Sequence, residues 1–490
     1  MYTRHTYEDW QIINDKRHLL TQIIGNYKAS DDFARALEAQ RYFNSDNTAI
    51  QQKYTVQLHV SEREQVLDSI DPITGENVVI KKPVSEKVKV QGTRIASSFL
   101  FRFITQENQH LLGNGVTIKE DGIKQKLGNG FDTVLAAMGE HALTDGVCWG
   151  FWNVDHLEEI RAVSDGLSGA VALVSEMDSK PRVLIQFWQL ASDKAMYVRV
   201  FEPDGITVYK TGKDNELVIE QPKRAYKNLY LRDAAGEMLV AEDNYPFLPV
   251  VALYANPERR SELTEAIKSK IDCFDRVASD FGDNLEMAND IYWALNNFGG
   301  NEVQALQTLQ KIHDLRAVIN HSDGTGNGST AEPHTFEVPY EARKTAMDIL
   351  RKELYRDAMA LDLESLSGST LSTEAIETAA KELNLKCDRF EWQVFAFVQN
   401  ILLLQNIVTE GISFKRQSIT NATQVIENIY RAAEDLDQET RLKLNPMIAD
   451  EDIPAIMQAT AAERATGLAT MEQLQAEIDR ANEVLNDGQG

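Results

Sequence analysis

Residues able to do chemistry are present, but none stands at a spacing that completes a site. His156 lies close to Glu158 and Glu159, a grouping that could move a proton, and Asp450-Glu451-Asp452 could offer carboxylates to a divalent cation. Acidic clusters at helix ends are more commonly solvated or capping groups. His59, His110, His141 and His313 have no matching ligand spacing, and no Gly-x-Ser-x-Gly elbow occurs. The Gly-rich stretch His321-Ser322-Asp323-Gly324-Thr325-Gly326-Asn327-Gly328 lacks the Lys followed by Ser or Thr that a phosphate loop requires. As a calcium loop starting at Asp323 it has Asn327 and Gly328 in place, yet brings His334 to the position of the bidentate Glu. It reads as a solvent-facing turn. Trp149, Phe151 and Trp152, with Phe187 and Trp188, read as sheet core and not as a base-stacking platform. Alternation puts Trp149 and Phe151 on one strand face and Trp152 on the other. The chain is expected to hold no catalytic, metal or cofactor site.

Composition narrows the function classes further. The 490 residues carry 50 Lys and Arg against 75 Asp and Glu, a formal charge of −25. Affinity for phosphates comes mainly from Lys and Arg, so this charge argues against free binding of DNA on a basic face. From 432 to 490 there are thirteen acids against four bases. Cys148, Cys273 and Cys387 stand far apart without CxxC spacing, which suits a reducing compartment and gives no disulfide framework or zinc site. The start, Met1-Tyr2-Thr3-Arg4-His5, shows no signal-peptide pattern, and the longest apolar stretch, 395–408, is interrupted by Gln399, Asn400, Gln405 and Asn406. The expectation is a soluble, folded protein of two to four structural units, made inside a cell.

The elements that would position these residues change character along the chain. Residues 1–50 read as amphipathic helices, and 51–93 as two short strands around the turn at Asp71-Pro72 and Thr74-Gly75. Helices are expected at 95–112, capped by Gly113-Asn114-Gly115, and at 131–141. Strands follow at 147–154, 170–176, 183–189, 195–201, 206–210, 216–219, 225–232 and 250–254.

From 257 to 295 one helical pattern is expected to run unbroken. Ile267, Ile271, Phe274, Ala278, Phe281, Leu285, Ala288, Ile291 and Leu295 recur in steps of three and four. Such a rod would be roughly 55–60 Å long, more than a compact monomer needs, so it is expected to pack against copies of itself. Its polar side carries Asp272, Asp275, Asp280, Asp283, Glu286 and Asp290. A short helix at 302–312, strands at 315–319 and 335–338 and a returning helix at 340–359 would bring the chain back beside the first rod. A Ser/Gly-containing linker at 361–371 leads to a third long helix, 372–408, and a helix-rich tail.

This order resembles the portal proteins of tailed bacteriophages, the head-to-tail connectors of siphophages infecting Gram-positive bacteria. The resemblance runs from about 95 to 408 and is most specific at 240–372. It is carried by Leu248-Pro249-Val250-Val251 with Tyr254-Ala255-Asn256-Pro257, by Glu265-Ala266-Ile267 through Ser279-Asp280-Phe281 with Asn284, and by Leu295-Asn296-Asn297-Phe298-Gly299-Gly300. Glu337-Val338-Pro339 with Glu341-Ala342-Arg343, and Leu366-Ser367-Gly368, complete it.

The resemblance implies an α+β, mainly helical portal-type fold: wing (1–256), first stem helix (257–296), small α/β clip (297–338), second stem helix (339–360), tunnel loop (361–371), a long helix returning across the wing (372–410) and a helical crown (411–490). It implies a closed ring of this chain, usually twelvefold, at one capsid vertex of the virion. Double-stranded DNA would pass through it non-specifically, and the terminase large subunit, a head–tail adaptor and the capsid and scaffolding proteins would be its partners, with no membrane role. Asp362, Glu364, Ser365, Ser367, Gly368, Ser369 and Thr370 would line the DNA channel in the tunnel loop. Some of the stem acids named above would face the lumen and repel the duplex. Asn301, Glu302, His321, Asp323 and Asn327 would lie on the clip docking surface. Two other readings compete: a metal-dependent nucleic-acid-processing enzyme, expected as a compact monomer, and a cytoplasmic helical scaffold, expected as filaments or small coiled coils.

Overall fold

The computed structural model describes residues 5–51, 54–70, 77–120, 122–212, 214, 216–232, 238–288, 292–296, 330–334, 340–362, 364 and 373–416, then 429, 431, 436–445, 448, 453–464, 471 and 474. Contacts divide the chain into two units, 1–360 with 385–415, and 361–384 with 416–490.

The first unit is built in layers, and alternation along the strands explains them. Strands β6 (Val163–Ser164), β7 (Ser168–Val174), β8 (Pro181–Trp188), β9 (Tyr197–Glu202), β10 (Gly205–Thr211) and β11 (Leu217–Arg224) form an antiparallel meander in sequence order. Val171, Leu173, Ile185 and Val200 enter a core with helices α1 (Tyr7–Ile12), α2 (Lys16–Lys28) and α3 (Asp31–Phe43). Ala170, Ala172, Leu184 and Phe201 enter the opposite core, shared with a second sheet. That sheet has the order β14 (Val250–Tyr254), β4 (Val147–Asn153), β5 (His156–Arg161). Trp149 and Phe151 lie in the core between the sheets, while Cys148 and Trp152 enter a third core on the far side. The expected division of these aromatics holds, and period-two alternation is its cause.

Helices close the third core: α4 (Phe99–Leu112), the short α5 (Ile123–Lys126), α6 (Phe131–Asp145), α7 (Glu265–Ala288), α8 (Tyr340–Asp357) and the later part of α9 (Thr373–Leu404). Gly150 lets α9 lie directly on the sheet, since a Cβ there would sit 2.6 Å from Cζ of Phe397. Small strands β3 (Val116–Ile118) and β17 (Ile412–Phe414) pair beside it. The cap after α4 falls where expected: Gly113, at φ −60°, donates its amide to the Gln109 carbonyl, and Gly115, at φ +71°, takes the left-handed turn.

Several expected boundaries are corrected. The rod expected over 257–295 is the 24-residue α7, about 36 Å long. Before it, 257–264 form turns, with Asn256 bonded through its side chain to both the amide and the carbonyl of Arg260. After it, Tyr292–Asn296 is strand β15, antiparallel to β16 (Thr330–His334), so Leu295 opposes Ala331 in a ladder. Aromatic Tyr292 and Trp293 favour a strand over a helix end. The two short strands expected within 51–93 are instead the long β1 (Tyr54–Ile70) and β2 (Asn77–Gln91). Strand β5 and the hairpin β12 (Lys227–Arg232) with β13 (Met238–Asp243) include stretches not foreseen as strands. The elements expected at 302–312, 315–319 and 335–338 lie outside the described residues.

In the second unit α9 begins, and Arg416 donates to the backbone and side-chain oxygens of Asn384 at 3.2 and 3.3 Å. A short helix, α10 (Gln438–Leu444), is capped by Asp437, and 453–464 are helical. The chain is thus a mixed α/β protein with more helix than strand. Among the described residues no helix is long and apolar enough to cross a membrane.

Gly150→Ala is expected to cost about 1–3 kcal/mol, because the added methyl must displace the buried Phe397 ring. Urea unfolding measures it, and an unchanged midpoint would contradict the packing described.

Candidate functional site

Helices α7 and α8 form an antiparallel pair that frames the candidate site. Lys270, early in α7, binds Glu353 at 3.4 Å and Asp357 more closely, both late in α8. At the other end Phe281 meets the Tyr340 ring with centroids 5.7 Å apart. Phe274 and Tyr355 fasten the pair to Phe99, with ring centroids at 5.0 and 6.2 Å.

At 3.6 residues per turn, the apolar row of α7 has a neighbouring row about 40–120° away from Ile271, formed by Asp275, Ser279, Asp272 and Asp283. These side chains act as hydrogen-bond acceptors. Asp283 takes the amide of Thr93 at 2.7 Å, Ser279 that of Ile95 at 3.0 Å and Asp275 that of Ser97 at 3.0 Å. Four helical residues rise about 6.0 Å and two extended residues about 6.6 Å, so one acceptor per turn meets every second amide. Gly282 permits the approach, since a Cβ there would come 2.9 Å from Cγ2 of Thr93. Asn47 donates to Asp275 and, at 3.1 Å, to the carbonyl of Ser97. Tyr42 donates to Asp272, which also binds Lys268 at 3.2 Å. Burial foremost, helped by Asp272, pushes the Tyr42 hydroxyl up to about 12.

Of the stem acids, Asp275 is fully buried by the chain's own residues, and burial raises its pKa against the pull of its donors. Asp272 and Asp283 are engaged in the same packing. Asp280 lies on the exposed side of α7, and the side chains of Glu286 and Asp290 lie outside the described residues. Of the residues expected in a tunnel loop, Asp362 accepts the amide of Glu364 at 3.2 Å, and Ser365, Ser367, Gly368, Ser369 and Thr370 lie outside the described residues. So do Asn301, Glu302, His321, Asp323 and Asn327.

A second charged cluster, missed in the sequence, sits where α9 crosses α4 and the lead into α7. Buried Lys386 binds Glu107 at 2.8 Å and Glu262 at 3.0 Å. The helical apolar row of α9 contained this Lys, and a charge at a core position was the signal to be read. Burial pushes Glu107 up to about 7 against the pull of Lys386. Burial works against the charge on Lys386, but the two carboxylates outweigh it and raise its pKa. The cluster borders a cleft of about 310 Å³ that Asn256, Arg260, Asp357 and Arg389 also line.

The groups with catalytic spacing resolve into local pairs. His156 bonds Asp155 at 2.9 Å and Glu158 at 3.2 Å on an exposed turn. Glu159 meets His141 and the Cys148 thiol instead. Burial raises the Glu159 carboxyl, but the His141 hydrogen bond and charge prevail and lower it. Among the described residues no three His, Cys, Asp or Glu side chains gather as a metal site, and Asp450-Glu451-Asp452 lies outside them.

Two measurements follow from these contacts. Asp275→Ala is expected to lose about 2–3 kcal/mol of stability, because it strands buried donors. An unchanged midpoint of urea unfolding would contradict the anchoring role. Glu107, with its folded pKa above its unfolded value near 4.5, contributes stability that is present below 4.5 and lost as pH rises through 7. Asp145, pushed up to about 6 by burial, acts in the same sense. Unfolding free energy should therefore fall between pH 5 and 7.5, and Glu107→Gln should flatten the fall by a few kcal/mol. An unaltered slope in that variant would contradict this assignment.

A family model described as phage portal protein, SPP1 Gp6-like, matches residues 26–484. A protein named Portal protein from Clostridium phage phiCD119 is 26% identical over 155 residues, which are 32% of this chain and 34% of that relative. The match to this relative thus spans about a third of its length. With the family model covering most of the sequence, the chain belongs to the SPP1 Gp6-like family of phage portal proteins.

Proposed function

We propose that the chain assembles into a closed ring, of about twelve copies in keeping with the family resemblance, at one vertex of a phage capsid. The ring is the conduit for double-stranded DNA during packaging and ejection, and the seat for the terminase large subunit and a head–tail adaptor. Capsid and scaffolding proteins surround it, and the chain itself performs no chemistry. The observation that carries this reading is the family match over residues 26–484. The helical pair supports it. Leu285 on α7 and Tyr340 and Ile349 on α8 are 47%, 51% and 52% exposed, and Trp392 on α9 is 72% exposed. These are apolar edges of the kind that copies of a chain cover on assembly.

Duplex DNA carries about one negative charge per 1.7 Å of axis, so a bore lined with carboxylates repels it from all sides and leaves it free to slide. Asp280, Glu286 and Asp290 on or beyond α7, with Asp362 and Glu364 ahead of α9, are the acids proposed for that lining. Ser365, Ser367, Gly368, Ser369 and Thr370 add small polar groups without charge anchors. Residues 297–338 are proposed as the docking surface for terminase and adaptor.

Negative-stain images of the purified chain are expected to show closed rings with an open bore; monomers or open filaments would overturn the reading. In a packaging reaction, Asp280→Asn with Asp362→Asn and Glu364→Gln is expected to slow DNA entry, most strongly at low salt. Unchanged filling with unchanged salt dependence would remove the repulsive lining from the account.

A further inference from the structure

Where α9 crosses α4 it is fastened by charge as well as by apolar contact. The side chain of Lys386 is 10% exposed and that of Glu107 2%, and one ammonium is shared between Glu107 and Glu262. The other charges around the cluster are engaged elsewhere or open to water. Arg389 of α9 binds Glu258 at 2.8 Å, Asp357 at the end of α8 is taken by Lys270, and Arg260 is exposed at the rim. His110 follows Glu107 by one turn on α4. With both carboxyls ionised the buried group is thus one positive charge short, which is costly away from water. A proton on Glu107 restores the balance.

The same point borders open space. Lys386, Glu107 and Glu262 themselves line the cleft of about 310 Å³, together with the exposed Glu258 and Arg260. A small parting of Lys386 from Glu107 therefore brings water to both and does not strand a charge in the interior. Further along α9, Phe390, Val394 and Phe397 hold the helix in the third core by apolar contact, which titration leaves unchanged. Cys387, next to Lys386, is fully buried against α4, with its sulfur 3.8 Å from the Glu107 carbonyl.

We infer that the Lys386 cluster is a proton-sensitive latch, which holds this turn of α9 closed on α4 while Glu107 keeps its proton and lets the turn lift when that proton leaves. The latch lies within one subunit and does not depend on ring assembly. Its sign follows from linkage. Glu107 is pushed up to about 7 when closed and returns toward 4.5 once hydrated, so the closed form is favoured at low pH and opening grows as pH rises through 7. Those two values make the open population about tenfold larger at pH 8 than at pH 6. In the proposed ring the latch would act on the helix that follows residues 361–371, the segment proposed to line the bore.

Alkylation of Cys387 in the full chain is the test, read by mass spectrometry of its peptide at pH 6 and pH 8. Each rate is divided by that of the urea-unfolded chain at the same pH. Cys148, buried in the third core, reports global unfolding in the same samples. At pH 8 Cys387 is expected to react at least roughly tenfold faster than Cys148, and about tenfold faster than it does itself at pH 6. Glu107→Gln, which stays neutral at both values, is expected to cancel the rise and keep Cys387 protected. Should that variant fail to fold, Glu262→Gln removes the other carboxylate from the cluster and carries the same expectation. Equal rates for Cys387 and Cys148 would mean that α9 lifts only when the whole fold opens, and overturn the latch. A Cys387 rate that is the same at both pH values, or a rise that persists in the folded variant, overturns it as well.

Discussion

The organisation of the helical pair depends on hydrogen bonds from one segment of backbone to one row of side chains. Asp275, Ser279 and Asp283 take the amides of Ser97, Ile95 and Thr93 because the pitch of a helix and the repeat of an extended chain nearly coincide over this span. Without those acceptors the amides at 93–97 would need other partners beside α7, and Asp275 would be a buried carboxylate without donors. Acidity on α7 is thus partly a structural adhesive, and only the side that bears Asp280 is open to surroundings beyond the subunit.

A comparable economy holds in the layers behind it. Strand β4 is buried on both faces, so its alternate residues serve two cores at once, and Gly150 is the gap through which α9 reaches the sheet. Lys386 on that helix is a charge placed in an apolar row, tolerable because Glu107 and Glu262 close on it. Helix α9 is thereby registered against α4 and against the turns that lead into α7. In the proposed ring, such registration would hold the helices of each subunit at a fixed angle to its copies.

Much of this was legible in the residues. Period-two runs located strands β7 to β10 and β14, and divided Trp149 and Phe151 from Trp152. Periods of three and four located α7, α8 and α9, and the family resemblance drawn from the 240–372 region agrees with the family match. What was not legible depended on contacts far apart in sequence. Helical phase puts Asp275 about 40° and Asp280 about 180° from Ile271, but the donors that Asp275 meets, at residues 47 and 97, lie far away in sequence. The apolar steps at Ile291 and Leu295 continue the helical phase by coincidence, while Leu295 pairs with Ala331 in a ladder. The lengths of β1 and β2 were hidden by mixed polar composition, because neither face of that ribbon is wholly apolar.

Amide hydrogen exchange at Thr93, Ile95 and Ser97 tests the central constraint most directly. The account predicts that these three amides are protected to the level of the α7 backbone itself. Exchange at the rate of an exposed loop would contradict it, and would return the acids of α7 to the open face of the helix.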